Sequence, residues 1–249
     1  MRGGRLRRLW IFDFDGTLSP IVPDRNAAVL HPSGRSLLRD LAGRPGDTVA
    51  ILSSRELSDL MFRVSLPKIY LGGGSGVEWR LPGGGRIGMT AEAGARAART
   101  RESLRPLLRG CSAIPGVEIE DKRWSLAIHS RKVAPEDLPA LEDLRARILS
   151  LPDIRVYLGP CVMDIQVLEE VGKVFGVERL CRLLHYDPSG GGIFYAGDDE
   201  NDAAAMRWVL ARRGTAVTVG GRIRVPGARP AAGTADLVRM IRGMTGPPS

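Results

Sequence analysis

The chain of 249 residues is poor in the residue types that mark several whole classes of protein. Aromatic residues make up 5% of it, cysteine and histidine number three each, and lysine stands only at positions 68, 122, 132 and 173. The cysteines, Cys111, Cys161 and Cys181, are far apart and odd in number. That fits neither a disulfide framework nor thiolate metal ligation, and reads as reduced packing residues. The histidines have no ligand spacing either. No apolar run approaches the roughly 20 residues of a membrane-spanning helix. The Arg-rich residues 1–8 lead straight into acids, unlike a secretory signal. A cytoplasmic protein with no membrane partner is therefore expected. The net charge of +8 comes mostly from arginine scattered along the chain, without the aromatic interleaving of a nucleic-acid surface. No nucleic-acid partner is expected, and a basic field of this kind also draws in a phosphorylated substrate.

What is present organises around one stretch. Leu9-Trp10-Ile11-Phe12 runs directly into Asp13, which reads as a buried parallel strand ending in a carboxylate. Asp15-Gly16 turns the chain where the strand emerges. In an open α/β sheet the carboxyl ends of the strands line the crevice where ligands bind. Two acids sharing a site repel unless a proton or a cation is present, and a hard divalent cation takes oxygen ligands. An Asx turn closing the strand explains these two acids equally well when they are taken alone.

The rest of the chain alternates. Helical spacing over 33–42, with Ser33 as the N-cap, is followed by an apolar strand over 48–52 that ends at Ser53. A helix over 56–63, a strand over 69–71 and a further strand over 77–80 continue a β-α-β pattern that predicts a parallel sheet. Between 83 and 170 the rhythm becomes helix-strand-strand, twice: helices over 92–109 and 136–150, strand pairs over 117–120 with 124–129 and 154–158 with 162–167. Short turns, Gly159-Pro160 among them, make these pairs antiparallel hairpins. The first pattern then resumes, with a helix over 174–184, a strand over 191–197 ending at Asp198-Asp199, a helix over 203–210, a strand over 215–219 and a last helix over 235–243. Residues 1–8 and 245–249 are expected to fray. The predicted fold class is α/β: a Rossmann-like core of residues 1–82 and 171–249, with an inserted α+β cap at 83–170.

Such a sheet gathers Asp13, Asp15, Thr17, Ser53, Lys173, Asp198, Asp199 and Asp202. Each has a plain structural reading as a turn, a cap or a solvated first-turn residue; together they make a coherent phosphoryl-transfer chemistry. A carboxylate attacks phosphorus, a second carboxyl group exchanges protons, a cation offsets the charge, and a hydroxyl and a lysine hold the phosphoryl oxygens.

Asp13-Phe14-Asp15-Gly16-Thr17, then Ser53, Lys173 and Gly197-Asp198-Asp199-Glu200-Asn201-Asp202, resemble the haloacid dehalogenase superfamily of aspartate-dependent phosphatases. The resemblance implies Asp13 as nucleophile, Asp15 as acid/base, and Thr17, Ser53 and Lys173 as phosphate ligands. It implies Mg2+ held by Asp13, the Asp15 carbonyl and Asp198, with Asp199 and Asp202 behind; Mn2+ or Co2+ would fit as well. Within the superfamily, Leu18-Ser19-Pro20-Ile21-Val22-Pro23, Val49-Ala50-Ile51-Leu52-Ser53-Ser54-Arg55, Gly76-Val77-Glu78, and the cap segments 117–122 and 125–129 are similar to trehalose-6-phosphate phosphatases. A monomeric enzyme is expected, with a phosphosugar substrate contacted at the rim and cap by Arg55, Ser75, Glu120, Lys122, His129, Asp164 and Gln166. The chain departs from that family at Ser54, at Gly74-Ser75-Gly76, at Asp164-Ile165-Gln166-Val167 and at Val174. These departures leave glycosyl-3-phosphoglycerate, sucrose phosphate and a secondary-pathway pseudosugar phosphate as alternatives. A mutase and a non-catalytic binding domain are the more distant ones.

Overall fold

The computed structural model describes residues 8–246 except Pro23 and Pro160. In chain order the helices and strands are β1 (Arg8–Phe12), α1 (Pro32–Ala42), β2 (Asp47–Leu52), α2 (Leu57–Arg63), β3 (Tyr70–Gly73), β4 (Glu78–Arg80), β5 (Arg86–Ile87), α3 (Ala91–Ser112), β6 (Glu118–Asp121), β7 (Ser125–His129), α4 (Leu138–Leu149), β8 (Arg155–Gly159), β9 (Val162–Gln166), α5 (Lys173–Leu183), β10 (Ile193–Gly197), α6 (Glu200–Leu210), β11 (Thr215–Val219), β12 (Arg229–Ala231) and α7 (Thr234–Thr245). They form two compact units, one of residues 88–172 and one of the flanking segments. The division thus falls at 88–172 rather than 83–170, because Arg86–Ile87 pairs with β4 at the edge of the first unit's sheet.

That sheet has eight strands in the order β12-β11-β10-β1-β2-β3-β4-β5. Strands β12 to β3 are parallel, and β1 sits centrally, pairing with β10 on one side and β2 on the other. The run Leu9–Phe12 is apolar throughout because both of its faces are covered. Trp10 and Phe12 pack with Leu37, Leu38 and Leu41 of α1, Leu57 and Leu60 of α2, and Leu237 and Ile241 of α7. Leu9 and Ile11 pack on the other side with Val177 and Leu180 of α5 and Met206 and Val209 of α6.

Several expectations are corrected here. The sheet is mixed: β4 runs antiparallel to both β3 and β5, its reversal made where residues 74–76 turn tightly and Ser75 takes a left-handed backbone (φ 56°). The N-cap of α1 is His31, whose ring accepts from the Ser33 amide, since Pro32 with its fixed φ takes the first helical position. Strands β5 and β12 carry no apolar alternation and went unforeseen; Pro230 is tolerated because β12 is an edge. Of the tails expected to fray, Arg8 opens β1 and Thr245 closes α7, while residues 1–7 and 247–249 lie outside the described residues.

Residues 88–172 form a four-stranded antiparallel sheet in the order β6-β7-β9-β8. Residue Pro160 of the expected β8–β9 turn lies outside the described residues. Leu126, Ile128, Met163 and Ile165 are buried, as are Leu104, Leu107 and Cys111 of α3 and Leu141 and Ile148 of α4. By alternation, Glu120, Ala127, Asp164 and Tyr157, which register across the four strands, share the opposite face. All three cysteines are free thiols. Among the described residues no helix is long and apolar enough to cross a membrane.

Candidate active site

Asp13 follows β1 directly, and its amide donates to the Ala196 carbonyl of β10 at 2.8 Å, so the central strand pair fixes its height. Lys173, the first residue of α5, is buried with it. Its ammonium donates to Asp13 Oδ1 and to the Leu52 carbonyl at 2.7 Å, and lies 3.2 Å from Asp202 Oδ1. Asp202 sits in the first turn of α6, where it forms a reciprocal capping box with Asp199. Its carboxylate accepts from the Tyr195 hydroxyl at 2.6 Å and from the amides of Asp198 at 3.1 Å and Asp199 at 3.4 Å. Asp198 receives Arg222 Nη1 on Oδ2 at 3.1 Å.

Oxygen atoms of Asp13, Asp198 and Asp202 all lie within 4.8 Å of one another. Burial, together with the charge of Asp202, pushes the Asp13 carboxyl well above the usual range against the pull of Lys173. The same causes, burial first, push Asp198 up to about 7. Burial disfavours the Lys173 ammonium, yet Asp13 and Asp202 outweigh it and hold the proton. Three buried carboxylates thus surround one lysine, and the excess negative charge suits a hard divalent cation with oxygen ligands. Asp202 already accepts from four donors, Tyr195, Lys173 and the amides of Asp198 and Asp199, whereas Asp13 and Asp198 are less engaged.

Asp15 and Thr17 lie on the turn beyond β1. Gly16 has φ 78°, and a Cβ there would drive into the Asp198 carboxylate. Gly16→Ala is therefore expected to displace Asp198 and to weaken divalent-cation binding at these carboxylates by about tenfold or more. Titration of the folded protein with Mg2+ checks it, and unchanged affinity refutes it. The left-handed backbone itself costs an alanine about 1–2 kcal/mol of stability, a separate effect that a melting curve reads. Thr17 is fully buried, and its Oγ1 has no hydrogen-bond partner among the described residues. Ser53 follows β2 directly; its Oγ accepts from the Arg55 amide at 3.1 Å, which leaves the hydroxyl proton to donate.

The rim and cap residues divide. Arg55, expected at the substrate rim, is buried and bound to Asp15 and Asp59. Ser75 is also fully buried rather than at a rim; its amide donates to the Ser53 carbonyl at 2.8 Å, and its hydroxyl has no partner among the described residues. In the cap unit, Asp164 accepts from Lys122 at 2.6 Å and from Gln166 at 2.9 Å, and His129 Nε2 lies 3.4 Å from Glu120. Sequence reasoning missed Tyr195, Arg222 and Asp59. Tyr195 reads as one more apolar strand residue, and Arg222 sits in a loop without periodicity.

The mainly parallel core, with acids following β1 and β10 and an α+β unit inserted, has counterparts of the same fold among solved structures. A haloacid dehalogenase-like hydrolase from Bacteroides thetaiotaomicron matches with a TM-score of 0.68 at 12% identity, over 95% of this chain and 99% of that one. The C-terminal domain of the C. albicans trehalose-6-phosphate phosphatase matches with a TM-score of 0.76 at 19% identity, covering 97% and 93% of the two chains. The trehalose-phosphatase family model matches residues 11–233, and the chain belongs to that family. A trehalose-phosphate phosphatase of Mycobacterium tuberculosis strain H37Rv is 34% identical over 204 residues, 78% of this chain and 49% of that protein. A Mycobacterium avium trehalose-phosphate phosphatase is 38% identical over 198 residues, with the same shares. The chain spans about half the length of the curated relatives it matches.

Proposed function

We propose that the chain is a Mg2+-dependent phosphatase that hydrolyses a sugar phosphate through an aspartyl-phosphate, with trehalose 6-phosphate as the substrate to test first. The observation that carries this reading is the packing of Asp13, Asp198 and Asp202 around Lys173 at the ends of β1 and β10. An Asp13 carboxylate oxygen bonds to phosphorus as the bond to the leaving sugar oxygen breaks, and Asp15 gives that oxygen a proton. Water then attacks the phosphorus of the acyl phosphate, returning a proton to Asp15 and freeing Asp13. Lys173 and the hydroxyls of Thr17 and Ser53 hold the remaining phosphoryl oxygens. Asp13, the Asp15 carbonyl and Asp198 would hold Mg2+, with Asp199 and Asp202 behind them. Bound there, the cation offsets repulsion between an anionic nucleophile and an anionic phosphate.

Sugar recognition we assign to the polar face of the cap sheet: Glu120, Lys122, His129, Asp164 and Gln166. Asp164 is paired with Lys122 and held by a hydrogen bond from Gln166, so it is positioned to accept from sugar hydroxyls as a fixed group. The family's name and the relatives' names point to trehalose 6-phosphate, and the polar sheet face suits a ligand made mostly of hydroxyls. Phosphate release with Mg2+ across a panel of phosphosugars, including trehalose 6-phosphate, sucrose phosphate and glycosyl-3-phosphoglycerates, tests it. Preference for trehalose 6-phosphate, abolished by EDTA, is expected. Preference for another sugar phosphate keeps the mechanism and overturns the substrate.

A further inference from the structure

We propose that Arg55 is a positioning residue for Asp15, fixing the carboxylate that exchanges protons with the leaving group; the inference rests on the phosphatase reading above. The Arg55 side chain is 3% exposed and that of Asp15 is 41% exposed, so a buried fork grips a carboxylate that faces outward. The grip is bidentate: Nε donates to Oδ2 at 2.6 Å and Nη2 to Oδ1 at 2.7 Å. Two parallel bonds set the plane of the carboxylate as well as its place.

The fork is itself held from behind. Nη1 donates to Asp59 Oδ2 at 2.7 Å, Asp59 Oδ1 accepts from Arg63 Nε at 3.0 Å, and Arg63 Nη1 donates to the carbonyls of Asn26 at 2.9 Å and Ala28 at 2.7 Å. The Arg55 amide is tied to Ser53 Oγ, and the guanidinium lies 5.7 Å from the Phe14 ring centre. A chain of alternating charge therefore runs from the loop at Asn26 through α2 to Asp15. An arginine serving substrate would present its donors to solvent; this one spends them on two carboxylates.

In the first half-reaction the Asp13–phosphorus bond forms, the bond from phosphorus to the leaving oxygen breaks, and the Asp15 proton passes to that oxygen. In the second, water oxygen bonds to phosphorus, its proton goes to Asp15, and the Asp13 carboxylate leaves. Both transfers need one Asp15 oxygen within hydrogen-bond reach of the same point. An aspartate side chain on an outward turn rotates among rotamers unless something fixes it, and Arg55 fixes it.

The test is leaving-group dependence, which disturbed packing alone does not change. Arg55→Lys keeps the charge and loses the fork, while Asp59→Asn keeps the fork and loosens its backing. Turnover is measured with Mg2+ on aryl phosphates running from 4-nitrophenyl, whose leaving group needs no proton, to phenyl, whose leaving group does. General acid catalysis contributes about 10²–10⁴-fold, so Arg55→Lys should lower kcat on phenyl phosphate at least about tenfold more than on 4-nitrophenyl phosphate. Asp59→Asn should steepen the series in the same sense by less, and it decides alone if Arg55→Lys fails to fold. An unchanged slope in the folded variants overturns the inference and leaves the phosphatase reading standing. No Asp13-dependent release from any ester by the unsubstituted protein overturns both.

Discussion

Asp13→Asn is expected to reduce phosphate release by about 10⁴-fold or more, the scale at which loss of a nucleophile leaves only binding and background chemistry. The substitution is nearly isosteric, and the asparagine Oδ1 still accepts from Lys173, so the loss would report chemistry rather than collapse. Stability offers an independent check. Asp13 carries a carboxyl pushed well up by burial and by Asp202, which means its charged form is uncomfortable where it stands. Removing that charge relieves repulsion with Asp202 and Asp198, while Lys173 keeps Asp202 and the Leu52 carbonyl. The melting temperature in EDTA should therefore not fall, and the rise on adding Mg2+ should shrink. Residual release above about 1% of the unsubstituted rate is incompatible with an obligatory aspartyl-phosphate. A lowered melting temperature would contradict the electrostatic reading of the site.

The elements that carry this chemistry were legible because two signals coincide at each of them. Leu9–Phe12 is an unbroken apolar run that stops at an acid, and 193–197 stops at Asp198 in the same way, so the strand and the site are read together. Lys173, whose place in a first helical turn reads by itself as solvated, was legible only together with the other members of the set. What the sequence hid was how the groups are engaged. Nothing local distinguishes Arg55 at a rim from Arg55 buried against Asp15, since its partners lie 40 residues away and in the first turn of α2, which begins after it. Tyr195 looks like core until Asp202 is seen to accept its hydroxyl. The reversal of direction at β4 depends on Ser75 accepting a left-handed backbone, which propensity disfavours and tertiary contacts enforce. Short edge strands such as β5 and β12 have too few residues for any period to show.

Lys173→Met is expected to cost both activity and stability, and its pH dependence separates electrostatics from packing. Methionine fills much of the same space, but the three carboxylates lose the cation they share. Breaking a buried ion pair by removing one partner costs about 3–5 kcal/mol. The sign with pH follows from the carboxyls. Asp13 and Asp198 titrate above their unfolded value near 4, so the folded protein holds more protons than the unfolded one between that value and about 7. Their presence therefore weakens the fold as pH rises through that window, and without Lys173 the weakening deepens. Lys173 itself stays protonated on both sides of the comparison, because its raised titration lies far above it. The deficit of Lys173→Met against the unsubstituted protein, from denaturant unfolding in EDTA, should be largest near pH 8 and shrink toward pH 5. Adding Asp13→Asn should recover part of it, with a coupling of about 0.5–3 kcal/mol, as expected for groups in direct contact. A deficit equal at both pH values, or a strictly additive double variant, would mean that Lys173 acts by filling space, and that the buried acids are not held together by its charge.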